Sequence, residues 1–216
     1  MNLIMLGASG SGKGTHAKFI ERDFGPVPIS TGDLLREEIA KQNPVALDAK
    51  QNYMDKGLLV PDEIVLKILK QRLAKPDVTK KGFILDGYPR NIEQAKALES
   101  IAKFDRVIFI DLAIEEVMNR LMNRYTCKSC QAIWNGISEN LKLEDKCPTC
   151  GGELYVRSDD APDKVKNRIA FFTDNIDALL DFYKDKVVKV KSEPLARRED
   201  NYAPIYKAIK EFIDAK

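Results

Sequence analysis

The sequence predicts an α/β fold: a parallel five-stranded sheet with helices on both faces. Three observations carry this. Short runs of unbroken apolar residues recur along the chain, as expected of strands buried on both faces. Helix-period stretches separate them, which is the rhythm of a parallel sheet with right-handed crossovers. A glycine-rich turn, Gly7-Ala8-Ser9-Gly10-Ser11-Gly12-Lys13-Gly14-Thr15, directly follows the first apolar run and opens the first helix. In chain order, the strands are expected at 2–6, a shorter one at 27–29, then 82–86, 106–112 and 187–190. The helices are expected at 15–23, 33–41, 62–74, 92–103, 115–124, 163–183 and 202–214.

The glycine turn fits the P-loop spacing G-x4-G-K through Gly7, Gly12 and Lys13. Glycines let successive backbone N–H groups converge on a phosphate, and the helix that follows offers its positive dipole end. Lys13 brings a mobile charge to the outer phosphates. Gly14 stands where this loop often has its hydroxyl, which comes one place later at Thr15. In open parallel sheets ligands bind beyond the carboxyl ends of the strands. The loop and Asp86 both lie at such ends, so they are expected to meet around one ligand. Asp86 is suited to holding magnesium through water, with Asp33 as a second candidate unless it merely caps its helix.

Composition sets bounds. With 216 residues, 44% hydrophobic and 31% charged, the chain can bury a substantial core. A net charge of +2 advertises no nucleic-acid surface, and no stretch has the length and apolarity of a membrane span. The N-terminal apolar run is too short for a signal peptide, so a cytoplasmic location is expected.

All four cysteines fall in one turn-rich interval, as Cys127-x2-Cys130 and Cys147-x2-Cys150 with sixteen residues between the pairs. Two such turns can present four thiolates to one cation, the pattern of structural zinc with no open position for chemistry. A pair of disulfides is the alternative, disfavoured in a reducing compartment. The interval reads as an inserted zinc-ribbon-like module. Many ribbons grip nucleic acid, but residues 121–160 carry five Lys/Arg against six Asp/Glu, a poor match to a phosphate backbone.

Arginines cluster around these motifs. Arg120 and Arg124 stand four apart on the helix expected over 115–124 and so are expected on one face. Arg157 leaves the insertion, Arg168 lies early in the next helix, Arg36 follows a Ser30-Thr31-Gly32-Asp33 turn, and Arg90 closes Asp86-Gly87-Tyr88-Pro89-Arg90. Forked guanidinium donors suit the charge spread over phosphate oxygens during phosphoryl transfer. His16, the only histidine, has no partners for a nucleophilic constellation and is expected to pack or face solvent.

Taken together, the segments 7–15, 30–36, 56–63, 82–90, 119–124 and 155–160, with Gln94, closely resemble the adenylate kinase family in its bacterial long-lid, zinc-containing form. The resemblance runs over nearly the whole chain. It implies a core of residues 1–29, 61–122 and 161–216, a nucleoside-monophosphate-binding flap at 30–60, and a zinc-binding lid at 123–160. It further implies reversible transfer of a phosphoryl group from ATP to AMP, giving two ADP, with magnesium, in a monomer.

Residue by residue, Gly10, Ser11, Gly12, Lys13, Gly14 and Thr15 would wrap the ATP phosphates. Arg124 would grip ATP from the lid, with Ile133 and Trp134 touching it. Thr31, Arg36, Leu58, Leu59, Val60, Gly87, Tyr88, Pro89, Arg90 and Gln94 would hold AMP. Arg120 would join the transferring phosphate, while Arg157 and Arg168 would bridge the AMP side and the transferred group.

The chain departs from the family pattern at Ser9 (usually proline), at His16 (often glutamine), over 138–144, and after residue 190, where an Asp-Gly turn that helps hold the ATP adenine is replaced by Lys191-Ser192-Glu193-Pro194. Two other readings remain: a kinase for another nucleoside monophosphate, and a zinc-ribbon nucleotide switch that binds a macromolecule.

Overall fold

A computed structural model of the chain describes residues 1–192 and 198–215. The elements run β1 (Leu3–Leu6), α1 (Lys13–Phe24), β2 (Val27–Ser30), α2 (Thr31–Ala40), α3 (Pro44–Asn52), α4 (Asp62–Leu73), α5 (Pro76–Lys81) and β3 (Phe83–Asp86). They continue with α6 (Ile92–Glu99), β4 (Arg106–Asp111), α7 (Ile114–Met122), β5 (Arg124–Cys127), β6 (Ile133–Asn135) and β7 (Leu154–Tyr155). The chain then forms α8 (Pro162–Phe182), β8 (Val187–Lys191) and α9 (Arg198–Asp214).

The main sheet is five-stranded, ordered β2-β3-β1-β4-β8, and every pairing in it is parallel. Its inner strands β1, β3 and β4 have no polar face because both faces are covered, whereas the edge strand β8 exposes Lys189 and Lys191. Along β1, Ile4 and Leu6 enter one core with Ile29, Leu85 and Phe109, beneath α4 and α6. Leu3 and Met5 point the other way, into a second core with Ala17 and Ile20 of α1 and Ile205 and Ile209 of α9. The period-2 alternation of a strand thus becomes an unbroken apolar run in sequence.

Five strands fall within a residue or two of their expected places. Several helices need correction. The helix expected over 92–103 stops at Glu99, and α7 ends at Met122 rather than 124. Arg124 is therefore the first residue of β5, not a helical neighbour of Arg120, and the two do not share a helix face. Asp33 is not the cap of α2: Ser30 is, its hydroxyl accepting the Asp33 N–H at 3.3 Å. Two short helices, α3 and α5, were absent from the sequence expectation; each has proline at its start, where a missing N–H costs nothing.

The cysteine interval forms its own small antiparallel sheet, ordered β6-β5-β7. Among the described residues no helix is long and apolar enough to cross a membrane.

Candidate active site and metal centre

At the carboxyl ends of β1, β2 and β3 lies a cavity of about 830 Å³. Its floor is the glycine loop, with Gly10, Gly12, Lys13, Gly14 and Thr15 all lining it. Gly10 and Gly12 take positive φ values of 86° and 96°, which a side chain would strain. At Gly10 a Cβ would also come within 2.9 Å of Leu121, so α7 is seated directly against the loop. Ser11 is the exception among the expected loop residues: it is fully buried and does not line the cavity.

Lys13 folds back over its own loop, donating to the carbonyls of Gly7 and Ala8 at 2.9 Å each, with Asp86 at 3.8 Å. Gly14 is close enough to this carboxylate that a Cβ would sit 3.5 Å from Asp86 Oδ2. The cradle and the end of β3 therefore meet as expected. Asp33 also lines the cavity, but its carboxylate is engaged by Arg36 at 2.5 Å.

One wall comes from residues 30–60 and 87–94. Thr31 donates to the Gly87 carbonyl at 3.1 Å, and Arg90 Nε donates to the same oxygen at 2.8 Å. Gly87, at φ 82°, supplies the turn that makes this possible, and a Cβ there would approach the Thr31 hydroxyl to 3.1 Å. Tyr88, Pro89, Leu58, Leu59, Val60, Arg36 and Gln94 complete this side.

The opposite wall is cationic. Arg120, Arg124, Arg157 and Arg168 all line the cavity, joined by Ile133 and Trp134 of the small sheet. Arg124 is held from two sides by Asp160, at 2.7 and 2.5 Å, and Arg168 reaches the same carboxylate at 3.2 Å. Arg168 also donates to Asp159. Arg157 Nε donates to the Thr126 hydroxyl at 3.1 Å, and Arg120 pairs with Glu116 at 2.7 Å. Asp160, only 3% exposed, anchors two of these arginines and was not among the site residues expected from the sequence. Its partners lie 36 and 8 residues away, and only the fold brings them together.

The cations oppose one another. Burial, and then the Arg168 charge, push Arg90 down to about 10. Burial followed by Arg36 and Arg124 brings Arg157 to about 10. Burial lowers Lys13 as well, against the pull of Asp86. Such a pocket gains most from a ligand bearing several negative charges. The two walls also touch directly: the Ser158 hydroxyl donates to Asp55 at 2.7 Å.

His16 lines the cavity edge from α1, 4% exposed, its ring stacked on Tyr202 at 6.1 Å with an interplanar angle of 17°. Packing is thus its evident role, as expected. The expected departure at the turn after β8 is described only through Ser192; Glu193 and Pro194 lie outside the described residues.

The four cysteine sulfurs lie within 4.8 Å of one another. Cys127 and Cys150 are separated by 3.5 Å, Cys130 and Cys147 by 3.7 Å. A disulfide needs about 2.0 Å, whereas a tetrahedron with metal–sulfur bonds of about 2.3 Å has edges of about 3.8 Å. The donor set fits zinc. The two turns are built alike: Gln131 N–H bonds Cys127 O, and Gly151 N–H bonds Cys147 O. Gln131 and Gly151 occupy matching left-handed positions at φ 58° and 72°.

The family profile described as adenylate kinase matches residues 5–188. An adenylate kinase of Archaeoglobus fulgidus is 47% identical over 191 residues, covering 86% of this chain and 87% of that protein. One of Caldicellulosiruptor saccharolyticus is 42% identical over 214 residues, 97% of this chain and 99% of its own length. One of Lactobacillus gasseri is 46% identical over 192 residues, covering 86% and 88% respectively.

Proposed function

The chain belongs to the adenylate kinase family, and on that premise we propose how its cavity carries out the reversible reaction of ATP with AMP to give two ADP. The observation that carries the reading is the convergence of Lys13, Arg36, Arg90, Arg120, Arg124, Arg157 and Arg168 on one cavity floored by the phosphate cradle. A macromolecule-binding switch has no need of so many buried cations aimed inward.

Gly10, Gly12, Lys13, Gly14 and Thr15 wrap the ATP phosphates, with Ser11 buried beneath them, Arg124 gripping them from the lid (123–160) and Ile133 and Trp134 in contact. Thr31, Arg36, Leu58–Val60, Gly87–Arg90 and Gln94 hold AMP, partly on the flap at 30–60. Arg120, Arg157 and Arg168 gather the transferred group. An oxygen of the AMP phosphate attacks the γ-phosphorus of ATP, and the bond to the β–γ bridging oxygen breaks. The nucleophile is already anionic, so no general base is required. In-line positioning, charge neutralisation and exclusion of water suffice. The walls supply the exclusion by closing together, since water beside ATP would otherwise be the acceptor.

Magnesium, held through water by Asp86 and Asp33, would neutralise phosphate charge when bound. Zinc on Cys127, Cys130, Cys147 and Cys150 would hold the lid together and take no part in transfer. We place this activity in a cytoplasmic monomer without nucleic-acid or membrane partners.

The test is a coupled assay with ATP and a panel of monophosphates, alongside Lys13→Ala and Arg90→Ala. AMP is expected to be the preferred acceptor. Each substitution is expected to lower kcat at least about a hundredfold while the fold persists, since it removes charge aimed at developing phosphate negativity. Near-normal turnover in either folded variant overturns these roles, and equal use of UMP or CMP overturns the acceptor assignment.

A further inference from the structure

Gln94 is 2% exposed and lines the cavity, yet both ends of its amide are tied from behind. Its Oε1 accepts the Arg90 backbone N–H at 2.7 Å, and its Nε2 donates to Asp62 Oδ1 at 2.6 Å. These partners differ in kind. A backbone N–H only donates, and an ionised carboxylate only accepts. Turning the amide over would set nitrogen against the N–H and oxygen against the carboxylate, exchanging two bonds for two repulsions. One of the two amide orientations is therefore selected.

A primary amide has two donor and two acceptor positions. With one of each used, one N–H and one lone pair remain for a ligand, in a fixed order. The Watson–Crick edges of 6-aminopurines and 6-oxopurines present opposite orders: an exocyclic N–H beside a bare ring nitrogen in the first, a carbonyl beside a ring N–H in the second. A freely turning amide could pair with either. A locked one pairs with one class and meets the other like against like, leaving buried groups unpaired.

We propose that Asp62 is a positioning residue for base selectivity: by fixing the Gln94 amide, it makes the acceptor site take a 6-aminopurine monophosphate and reject a 6-oxopurine one. This rests on the reading that Gln94 meets the acceptor base. Asp62 does not itself line the cavity. It is the first residue of α4, behind the wall that Gln94 lines.

The experiment measures kcat and KM with AMP and with IMP for the unmodified enzyme, Asp62→Asn, Asp62→Glu, Gln94→Ala and the Asp62→Asn/Gln94→Ala double variant. Asparagine keeps the size but can turn to satisfy either orientation of Gln94. The AMP-to-IMP ratio of kcat/KM is expected to fall about tenfold in Asp62→Asn, mostly through KM. Asp62→Glu should restore much of it, and Asp62→Asn should add nothing on the Gln94→Ala background. An unchanged ratio in Asp62→Asn, with a lowered one in Gln94→Ala, overturns the role of Asp62 and leaves Gln94 at the base. An unchanged ratio in Gln94→Ala removes both readings. A purely structural effect of Asp62 would weaken AMP and IMP alike, keep the ratio, and so also overturn the proposal.

Discussion

Replacing His16 with glutamine should make the protein less sensitive to acid. The imidazole is 4% exposed, its Nδ1 is buried without a hydrogen-bond partner among the described residues, and burial, reinforced by the Arg120 charge, lowers its pKa to about 4. The unfolded chain should titrate His16 near its ordinary value of 6.5. Because the folded value is the lower one, the unfolded state binds more protons between the two. Stability from this source is therefore full above about pH 6.5, falls as pH drops, and levels off below about pH 4. The whole difference, at about 1.4 kcal/mol per pKa unit, is about 3 kcal/mol, of which about 2 kcal/mol is lost between pH 7 and pH 5. The assay is urea unfolding of both proteins at pH 7 and pH 5 with zinc in excess. Other carboxylates and the cysteine cluster titrate in both, so they cancel in the difference between the proteins. The unmodified protein should lose about 2 kcal/mol more than His16→Gln over that interval. Parallel losses, within about 0.5 kcal/mol, would refute a buried neutral imidazole at this position.

Two further outcomes are expected. Asp160→Ala removes the carboxylate shared by Arg124 and Arg168, leaving the nearly buried Arg124 guanidinium without its carboxylate partner while Arg168 keeps Asp159. Breaking such a pair costs about 3 kcal/mol or more, which lowers Tm by roughly 6–12 °C in a chain of this size; a melt within 2 °C of the unmodified protein speaks against it. Elemental analysis should find one zinc per chain, and chelation should lower the first melting transition while parallel-sheet circular dichroism persists. A metal-free preparation with oxidised cysteines and an unshifted melt would eliminate the structural zinc.

The main sheet was legible because burial on both faces turns its inner strands into nearly unbroken apolar runs, as at Leu3–Leu6 and Arg106–Asp111. The glycine loop and the two Cys-x2-Cys turns were legible because their chemistry is local. The helix α3 was readable in principle from Asn43-Pro44, an N-cap followed by proline at the first helical position, but its apolar periodicity is weak. Strands β5 to β7 have two to four residues each and gain their order from the lid as a whole, so no window of sequence announces them. The break after Met122 likewise escaped a periodicity argument, because Arg124 continues the spacing of a helix that has already ended. What sequence could not supply is the pairing of polar side chains: Arg124 with Asp160, and Gln94 with Asp62, are joined across 36 and 32 residues.

Those pairings bear on how the cavity closes. Lys13, Arg90, Arg157 and Arg168 are all displaced toward their neutral forms, chiefly by burial and further by neighbouring arginines, Arg124 among them. Gathering them without an anion is electrostatically unfavourable, and Asp86, Asp159 and Asp160 offset only part of the repulsion. Against this, the direct tie between residues 30–60 and the lid is modest. It includes the Ser158–Asp55 hydrogen bond, whose net worth is about 1 kcal/mol. A polyphosphate ligand reverses the sign of the balance, because each cation then faces phosphate oxygens rather than another cation. On the proposed reading, such a ligand would bind the closed arrangement better than an open one, and so would shift the population toward closure. The charge distribution thereby couples water exclusion to the presence of the phosphates, which is the condition for transfer to AMP to outrun hydrolysis.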